Sequence, residues 1–224
     1  MRFPLQGSWG VGYGESRRLE FLLYVRDAAG LTPQGGLLLP PLQPTVTGDR
    51  TRSLPASQLQ RLSEQWQTWW TETFGTVEVV ERRKLPEPRR DLPELADRPD
   101  LQRVARQLFD EAQAWIDRRV AEFVQATEPR RARHWLPVEY DIVQEAIAAR
   151  GWLKRFAAVG PFQLDVSGLP LAGMHGWRIS PGHALVTRAL RQDPDAYRRF
   201  LLPMVADLLR TRPARESGNP ATQR

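Results

Sequence analysis

The sequence predicts an α+β protein that is predominantly helical, with about five or six helices packed on a small, mainly N-terminal β-sheet. Apolar residues recur at helical spacing over far more of the chain than they alternate, which favours helices. Short apolar runs bounded by Gly and Pro near the N-terminus predict the strands. The chain has 224 residues, 41% of them hydrophobic, with eight Trp and eight Phe. It can therefore bury a sizeable core.

Three segments near the N-terminus lack helical spacing. Residues 10–14 are rich in Gly, but no predicted strand precedes them and no amphipathic helix follows. We therefore interpret them as a flexible turn rather than a dinucleotide-binding loop. Residues 19–25 form an apolar run with aromatic and β-branched members, which predicts a buried strand followed by a turn. The proline-rich residues 31–44 cannot continue a helix or a central strand, so an extended loop is predicted there.

The next segment predicts a helix that begins near Pro55, because Pro is favoured at the first helical position. Leu and Trp residues follow at helical spacing as far as Phe74, and aromatic residues in such a pattern usually lie in the core. Trp69 and Trp70 are about 100° apart on a helix. One of the two can therefore lie at the edge of the buried face, where it is a candidate contact for a partner.

The middle of the chain alternates between short extended segments and one long helix. Residues 76–80 predict a short strand, and the Pro-rich, charged residues 85–98 predict a solvated internal connector. Residues 99–126 carry a broad apolar face and predict the longest helix. Charges of both signs cover its other face, which is typical of a solvated surface rather than of a nucleic-acid contact. We predict one globular domain over residues 1–210.

The net charge of +6 nevertheless raises the question of nucleic-acid binding. All but two of the 32 basic residues are Arg, and such a ratio can reflect genomic base composition. A basic cluster precedes the next helix and is a candidate phosphate contact, although charged loops between helices are common. Its residues are Arg130, Arg131 and Arg133. Any affinity for nucleic acid is expected to be weak and dependent on salt.

A further helix is predicted from Pro137, with Asp141 and Glu145 one turn apart on it. Two carboxylates at this spacing can serve a metal or acid–base chemistry, but the same pattern is abundant on plain helix surfaces. The three histidines of the chain do not share helical ligand spacing with one another. The sequence therefore indicates no metal site and no cofactor.

The C-terminal third predicts a short strand over residues 162–166 and a helix capped by Ser180, with Pro181 at its first position and its end near Leu190. A last helix is predicted after residues 193–194. Residues 211–224 contain almost nothing to bury and predict a disordered basic tail.

Residues 165–183 are the one region where chemistry is predicted to assemble. Backbone amides at a helix start attract anions, so we hypothesise a site for an anionic ligand, while ordinary helix capping explains the same pattern. The candidate residues are Asp165, His175, Arg178, Ser180, Gly182 and His183.

The search for catalytic motifs is otherwise negative. The sequence contains no G-x-S-x-G elbow, no phosphate-binding P-loop and no H-E-x-x-H pair. Because it contains no Cys, disulfides, thiolate chemistry and Cys-ligated metal sites are excluded.

Three functional hypotheses follow. The first is a non-catalytic interaction or accessory protein whose partner is another protein. The second is a small enzyme or anionic-ligand binder that uses residues 165–183, and the third is a weak nucleic-acid binder. Since no stretch has the length and hydrophobicity of a signal peptide or a membrane span, we expect a cytoplasmic protein without membrane association.

Overall fold

The computed structural model describes residues 9–34, 38–46, 51, 53–75, 86–131, 138–149 and 162–211. Within these ranges, helices cover more than twice as many residues as strands. The described part contains six α-helices and one four-stranded sheet, which confirms the predicted α+β class. None of the described helices is both long enough and apolar enough to cross a membrane.

The sheet has the strand order β1-β2-β4-β3, and β3 and β4 form an antiparallel hairpin. The strands are β1 (Trp9–Glu15), β2 (Phe162–Leu169), β3 (Gly176–Ser180) and β4 (His183–Thr187). The helices are α1 (Arg17–Ala28), α2 (Ala56–Gly75), α3 (Pro99–Arg131), α4 (Val138–Ala148), α5 (Arg188–Gln192) and α6 (Pro194–Thr211). A 3-10 turn spans Pro93–Leu95.

The chain divides into two compact units. The first, which we call the sheet unit, consists of Met1–Gly14, His134–Gly168 and Met174–Arg224. The second, the helical unit, consists of Glu15–Arg133 and Leu169–Gly173. The prediction of a single domain over residues 1–210 concerns cooperative folding and stays a prediction.

In the sheet unit, one face of the sheet forms the core with α4 and α6. Side chains alternate between the two faces of a strand, so every second residue of β2 enters this core. Its strand residues are Val11, Phe162, Leu164, Val166, Ala184 and Val186. Ile142 and Val143 of α4 and Leu201 and Val205 of α6 join the same cluster.

In the helical unit, the predicted strand over residues 19–25 is wrong, because this run is the centre of α1. The side chain of Ser16 caps this helix by accepting a hydrogen bond from the backbone N–H of Leu19. Nearly all of α1 is buried, and it packs against α2 and α3. A helix that is buried on nearly all sides has no single apolar face, so the apolar run at its centre resembles a buried strand.

The predicted helices α2 and α3 are both present. Arg119, which the sequence places on the solvated face of α3, is instead buried and paired with the buried Glu20 of α1. The predicted connector at 85–98 includes the 3-10 turn, and its Leu92 and Leu95 are fully buried. These two leucines therefore fix part of the connector to the helical unit.

Two further expectations in the sheet unit are wrong. The glycine-rich residues 10–14 belong to β1 rather than to a flexible turn. The predicted helix over residues 181–190 is replaced by β4, because Pro181 and Gly182 form the two-residue connection of the β3–β4 hairpin. The helix begins only at Arg188. Thr187 caps it, because its side chain accepts a hydrogen bond from the backbone N–H of Leu190.

The remaining expectations have different outcomes. The strand at 162–166 and the last helix after Asp193 and Pro194 are confirmed. The side chain of Asp193 accepts a hydrogen bond from the backbone N–H of Ala196, as a cap should. The predicted strand at 76–80 and the tail beyond residue 211 lie outside the described residues.

Candidate functional site

The face of the sheet opposite the core carries a group of polar side chains. Because core residues alternate with them on β2 and β4, Asp165 and His183 both point to this second face. Trp177 belongs to it too, since it pairs across the hairpin with Leu185, which lies between the core residues of β4. We define the polar face as Gly10, Gly12, Gln163, Asp165, Ser167, Trp177 and His183.

His183 is the most deeply buried polar side chain of this face, with 4% of its surface exposed. Its Nε2 lies 3.1 Å from the hydroxyl oxygen of Ser167. Its Nδ1 is buried and has no hydrogen-bond partner in the described part of the chain. Burial lowers the pKa of the imidazole below its usual 6.5, and the negative charge of Asp165 opposes this only in part. His183 is therefore neutral near pH 7.

Asp165 lies beside His183 on the neighbouring strand. Its backbone N–H donates to the carbonyl of Gly182 at 2.8 Å, which aligns the two strands at this position. The carboxylate oxygen Oδ1 accepts a hydrogen bond of 2.9 Å from the Nε2 of Gln163. The second oxygen, Oδ2, is buried and is without a partner among the described residues. Asp165 and His183 thus each keep one buried polar atom unpaired.

The glycines of β1 make room for these side chains. A Cβ on Gly12 would lie 2.7 Å from Oδ1 of Asp165, and a Cβ on Gly10 would collide with the amide oxygen of Gln163. The side chains of β2 can therefore lie close to the backbone of β1 only because these residues are Gly.

The structure brings together three of the six predicted site residues, Asp165, Gly182 and His183. Arg178 lies on the core side of the sheet, where it pairs with Ala184 in the hairpin and forms an ion pair of 2.6 Å with Asp207.

The other two predicted residues are His175 and Ser180. The exposed ring of His175 stacks on Trp177, with 5.6 Å between the ring centroids. Ser180 pairs with His183 at the end of the hairpin. No helix begins after Ser180, so the free helix amides on which the predicted anion site depends are absent there.

Sequence analysis missed Gln163 and Ser167. A signal was present, because polar residues alternate with apolar ones over residues 162–167. That pattern places Gln163, Asp165 and Ser167 on one face of a strand.

The residues predicted to contact a partner are not part of the polar face defined above. Trp69 and Trp70 are only 1% and 3% exposed, so both belong to the core of the helical unit rather than to an accessible surface. Aromatic packing explains this, since Trp70 stacks on Trp66 and Trp69 makes an edge contact with Phe21. The side chains of Arg130 and Arg131, and all of Arg133, lie outside the described residues.

The polar face contains part of the geometry of a catalytic relay. The contact between Ser167 and His183 is within the reach expected of a nucleophile and its base. The third contact, which would orient the imidazole through Nδ1, is missing in the described structure. No group of three or more His, Cys, Asp or Glu residues that could hold a metal ion occurs in the described ranges. The arrangement is suited to hydrogen bonding with a bound molecule.

A second buried polar cluster in the sheet unit is fully paired. The buried Glu139 of α4 accepts hydrogen bonds from Arg191 at 2.8 Å and from the hydroxyl of Tyr197 at 2.5 Å. Burial raises the pKa of Tyr197, and the neighbouring carboxylate of Glu139 raises it further. The guanidinium of Arg191 also lies 3.6 Å from the ring centroid of Tyr13. This cluster therefore holds α4, α5, α6 and β1 together.

No protein-family model, curated protein or solved structure matches the chain.

Proposed function

We propose that the protein is a non-catalytic binding protein whose polar face receives a small polar ligand between Asp165 and His183. The observation that supports this proposal is the pair of unpaired buried atoms, Asp165 Oδ2 and His183 Nδ1, on neighbouring strands. The two residues are neighbours across the sheet, because the backbone N–H of Asp165 donates to the carbonyl of Gly182, the residue before His183.

The energetics favour a ligand there. A buried polar atom without a hydrogen bond destabilises the folded protein by about 1–3 kcal/mol, and native structures contain few such atoms. Unpaired buried polar atoms also occur at other described residues, but these two belong to residues on adjacent strands, where one bound molecule can supply both missing partners. Asp165 and Ser167 are half-buried, so each keeps part of its surface exposed, whereas His183 is buried.

A thermal-shift screen tests this proposal. Neutral, cationic and anionic small compounds are added to the wild type, to His183→Gln and to the control His175→Gln. Gln reaches as far as Nε2 but has no atom at the Nδ1 position. We expect at least one compound to raise the melting temperature of the wild type and of His175→Gln, but not of His183→Gln. Equal shifts in all three proteins, or no shift with any compound, would contradict the site.

The interaction-protein hypothesis remains as a second candidate, supported by the proline-rich loop. Leu38 in this loop is 83% exposed. Hydrogen bonds hold the backbone that follows Leu38, because the guanidinium of Arg26 donates to the carbonyls of Leu39 and Pro40, at 3.1 and 2.7 Å. The carboxylate of Asp27 accepts a hydrogen bond of 2.6 Å from the backbone N–H of Leu42. A large exposed apolar side chain beside backbone that is held in place is our candidate for a protein contact, because little order is lost on binding.

Photocrosslinking in cells tests this second candidate. The photoreactive residue p-benzoylphenylalanine replaces Leu38 in one variant and the exposed Gln60 of α2 in a control. A defined protein adduct is expected from position 38 and not from position 60. The absence of an adduct at position 38, or the same adducts at both positions, argues against a contact through this loop.

A further inference from the structure

We infer that the ligand group bound between Asp165 and His183 is a neutral hydroxyl of a polyol or sugar, with its C–H groups against Trp177. This inference rests on the proposed binding function and adds the chemical class of the ligand. It replaces the anion that the sequence suggested.

The hydrogen bond between Ser167 and His183 can form in two directions, one for each neutral tautomer of the imidazole. In the described part of the chain, the Ser167 hydroxyl has only one hydrogen-bond neighbour, Nε2 of His183 at 3.1 Å. In the tautomer that we assign, the Ser167 hydroxyl donates and Nε2 accepts. In the neutral imidazole the proton then lies on Nδ1, and the unpaired Nδ1 is a donor.

The unpaired atoms therefore form a complementary pair, with His183 Nδ1–H as donor and Asp165 Oδ2 as acceptor. A hydroxyl satisfies both, because its oxygen accepts from Nδ1–H while its proton is donated to the carboxylate. An ammonium group has donors but no acceptor, so it leaves Nδ1–H unpaired. Phosphate is an anion next to a carboxylate, and the two charges repel.

The surroundings of the pair favour a larger molecule that carries the hydroxyl. Trp177 lies on the polar face opposite Leu185, two positions along β4 from His183. A bulge between Arg178 and Ser180 lies between the two positions, so the spacing of a regular hairpin does not apply to them. The indole is half-buried, and the ring of His175 stacks on it. An apolar ring face of this kind packs well against the C–H groups of a sugar.

Calorimetric titration tests the ligand class with three probes: myo-inositol or glucose, methylammonium, and inorganic phosphate. We expect the neutral polyols to bind the wild type and the control Arg178→Ala with equal affinity. Asp165→Asn and His183→Gln should weaken that binding at least tenfold, and Trp177→Leu should weaken it severalfold. Ser167→Ala should also weaken it, because the proton of His183 is then no longer directed to Nδ1. Circular dichroism of each variant checks that it folds.

The outcomes separate the ligand class from the site itself. Binding of methylammonium or phosphate that requires His183, without binding of a polyol, would overturn the hydroxyl inference and leave the proposed binding function standing. Polyol binding that is unchanged in Asp165→Asn and His183→Gln would also overturn the inference. If none of the three probes binds and the thermal-shift screen finds no compound that depends on His183, the proposed function fails as well.

Discussion

At the scale of single residues, the buried imidazole of His183 couples stability to pH. Burial lowers its folded-state pKa below the usual 6.5, so the folded protein takes up a proton at lower pH than the unfolded chain does. Its contribution to stability is complete above pH 6.5 and is lost as the pH falls through 6.5 towards the lower folded value.

We therefore expect the unfolding free energy of the wild type to fall more steeply between pH 7 and pH 5 than that of His183→Gln. One proton limits the difference in slope to about 1.4 kcal/mol per pH unit. Urea denaturation at a series of pH values measures it. The control His175→Gln should follow the wild type, since the ring of His175 is exposed. Parallel pH profiles for the wild type and His183→Gln would mean that the imidazole titrates normally.

A second residue-scale prediction concerns the buried pair of Arg119 and Glu20. Truncation of Arg119 to Ala leaves the carboxylate of Glu20 buried without its guanidinium partner. The ion pair of 3.2 Å between Arg119 and Glu15 is also lost. Broken buried pairs of this kind destabilise by about 3–5 kcal/mol. The adjacent Arg118 is exposed, so Arg118→Ala should change stability by less than about 0.5 kcal/mol. Chemical denaturation of the two variants compares them directly, and equal effects would show that the buried pair contributes little.

At this scale, candidate residues could be selected from the sequence, but the residues that surround them in the structure could not be predicted. Asp165 and His183 were selected because they lie near a predicted helix start, which is absent, and the structure places them on neighbouring strands instead. The position of Arg178 could not be predicted, because it depends on which face of β3 the residue occupies. Likewise, the burial of Arg119 depends on Glu15 and Glu20, about a hundred residues earlier in the chain.

At the scale of elements, β3 packs closely on the helices through Gly176. A Cβ at this position would lie 2.7 Å from two ring atoms of Phe200 and 2.9 Å from a methyl group of Leu190. Because the ring is rigid, Gly176→Ala should destabilise the protein by about 1–3 kcal/mol. Gly14 of β1 has no atom within 4 Å of a Cβ placed on it, so Gly14→Ala is the matched control and should have little effect. Thermal unfolding of both variants measures the difference, and an unchanged Gly176→Ala would show that the helices move to accept the methyl group.

Elements with one buried face were predicted well, and elements buried on both faces were not. Amphipathic spacing identified α2, α3 and α6, since each presents one apolar face to a core. Helix α1 is buried on nearly all sides and strand β4 is buried throughout, so neither has a distinguishing period. Ser180 and Pro181 suit a helix start and a hairpin turn equally well. The pairing of β4 with β3 selects the hairpin turn over the helix start, and this pairing cannot be read from the local sequence.

At the scale of the whole molecule, the chain passes between the two units four times. The sequence predicts one domain over residues 1–210, so we expect one cooperative unfolding transition. Gly176→Ala in the sheet unit and Arg119→Ala in the helical unit should then lower the same transition in differential scanning calorimetry. Two separate transitions, each shifted by only one variant, would contradict the single-domain prediction.

The proposed binding site is tested most directly by nitrogen-15 NMR of the histidine rings at pH 7, with and without myo-inositol. We expect the free protein to contain a neutral His183 with its proton on Nδ1. Addition of the polyol should shift the Nδ1 resonance of His183 until saturation, while the resonances of His175 shift much less. A His183 ring that is protonated at pH 7, or whose resonances do not respond to any polyol, would contradict a hydroxyl-binding pair formed by Asp165 and His183.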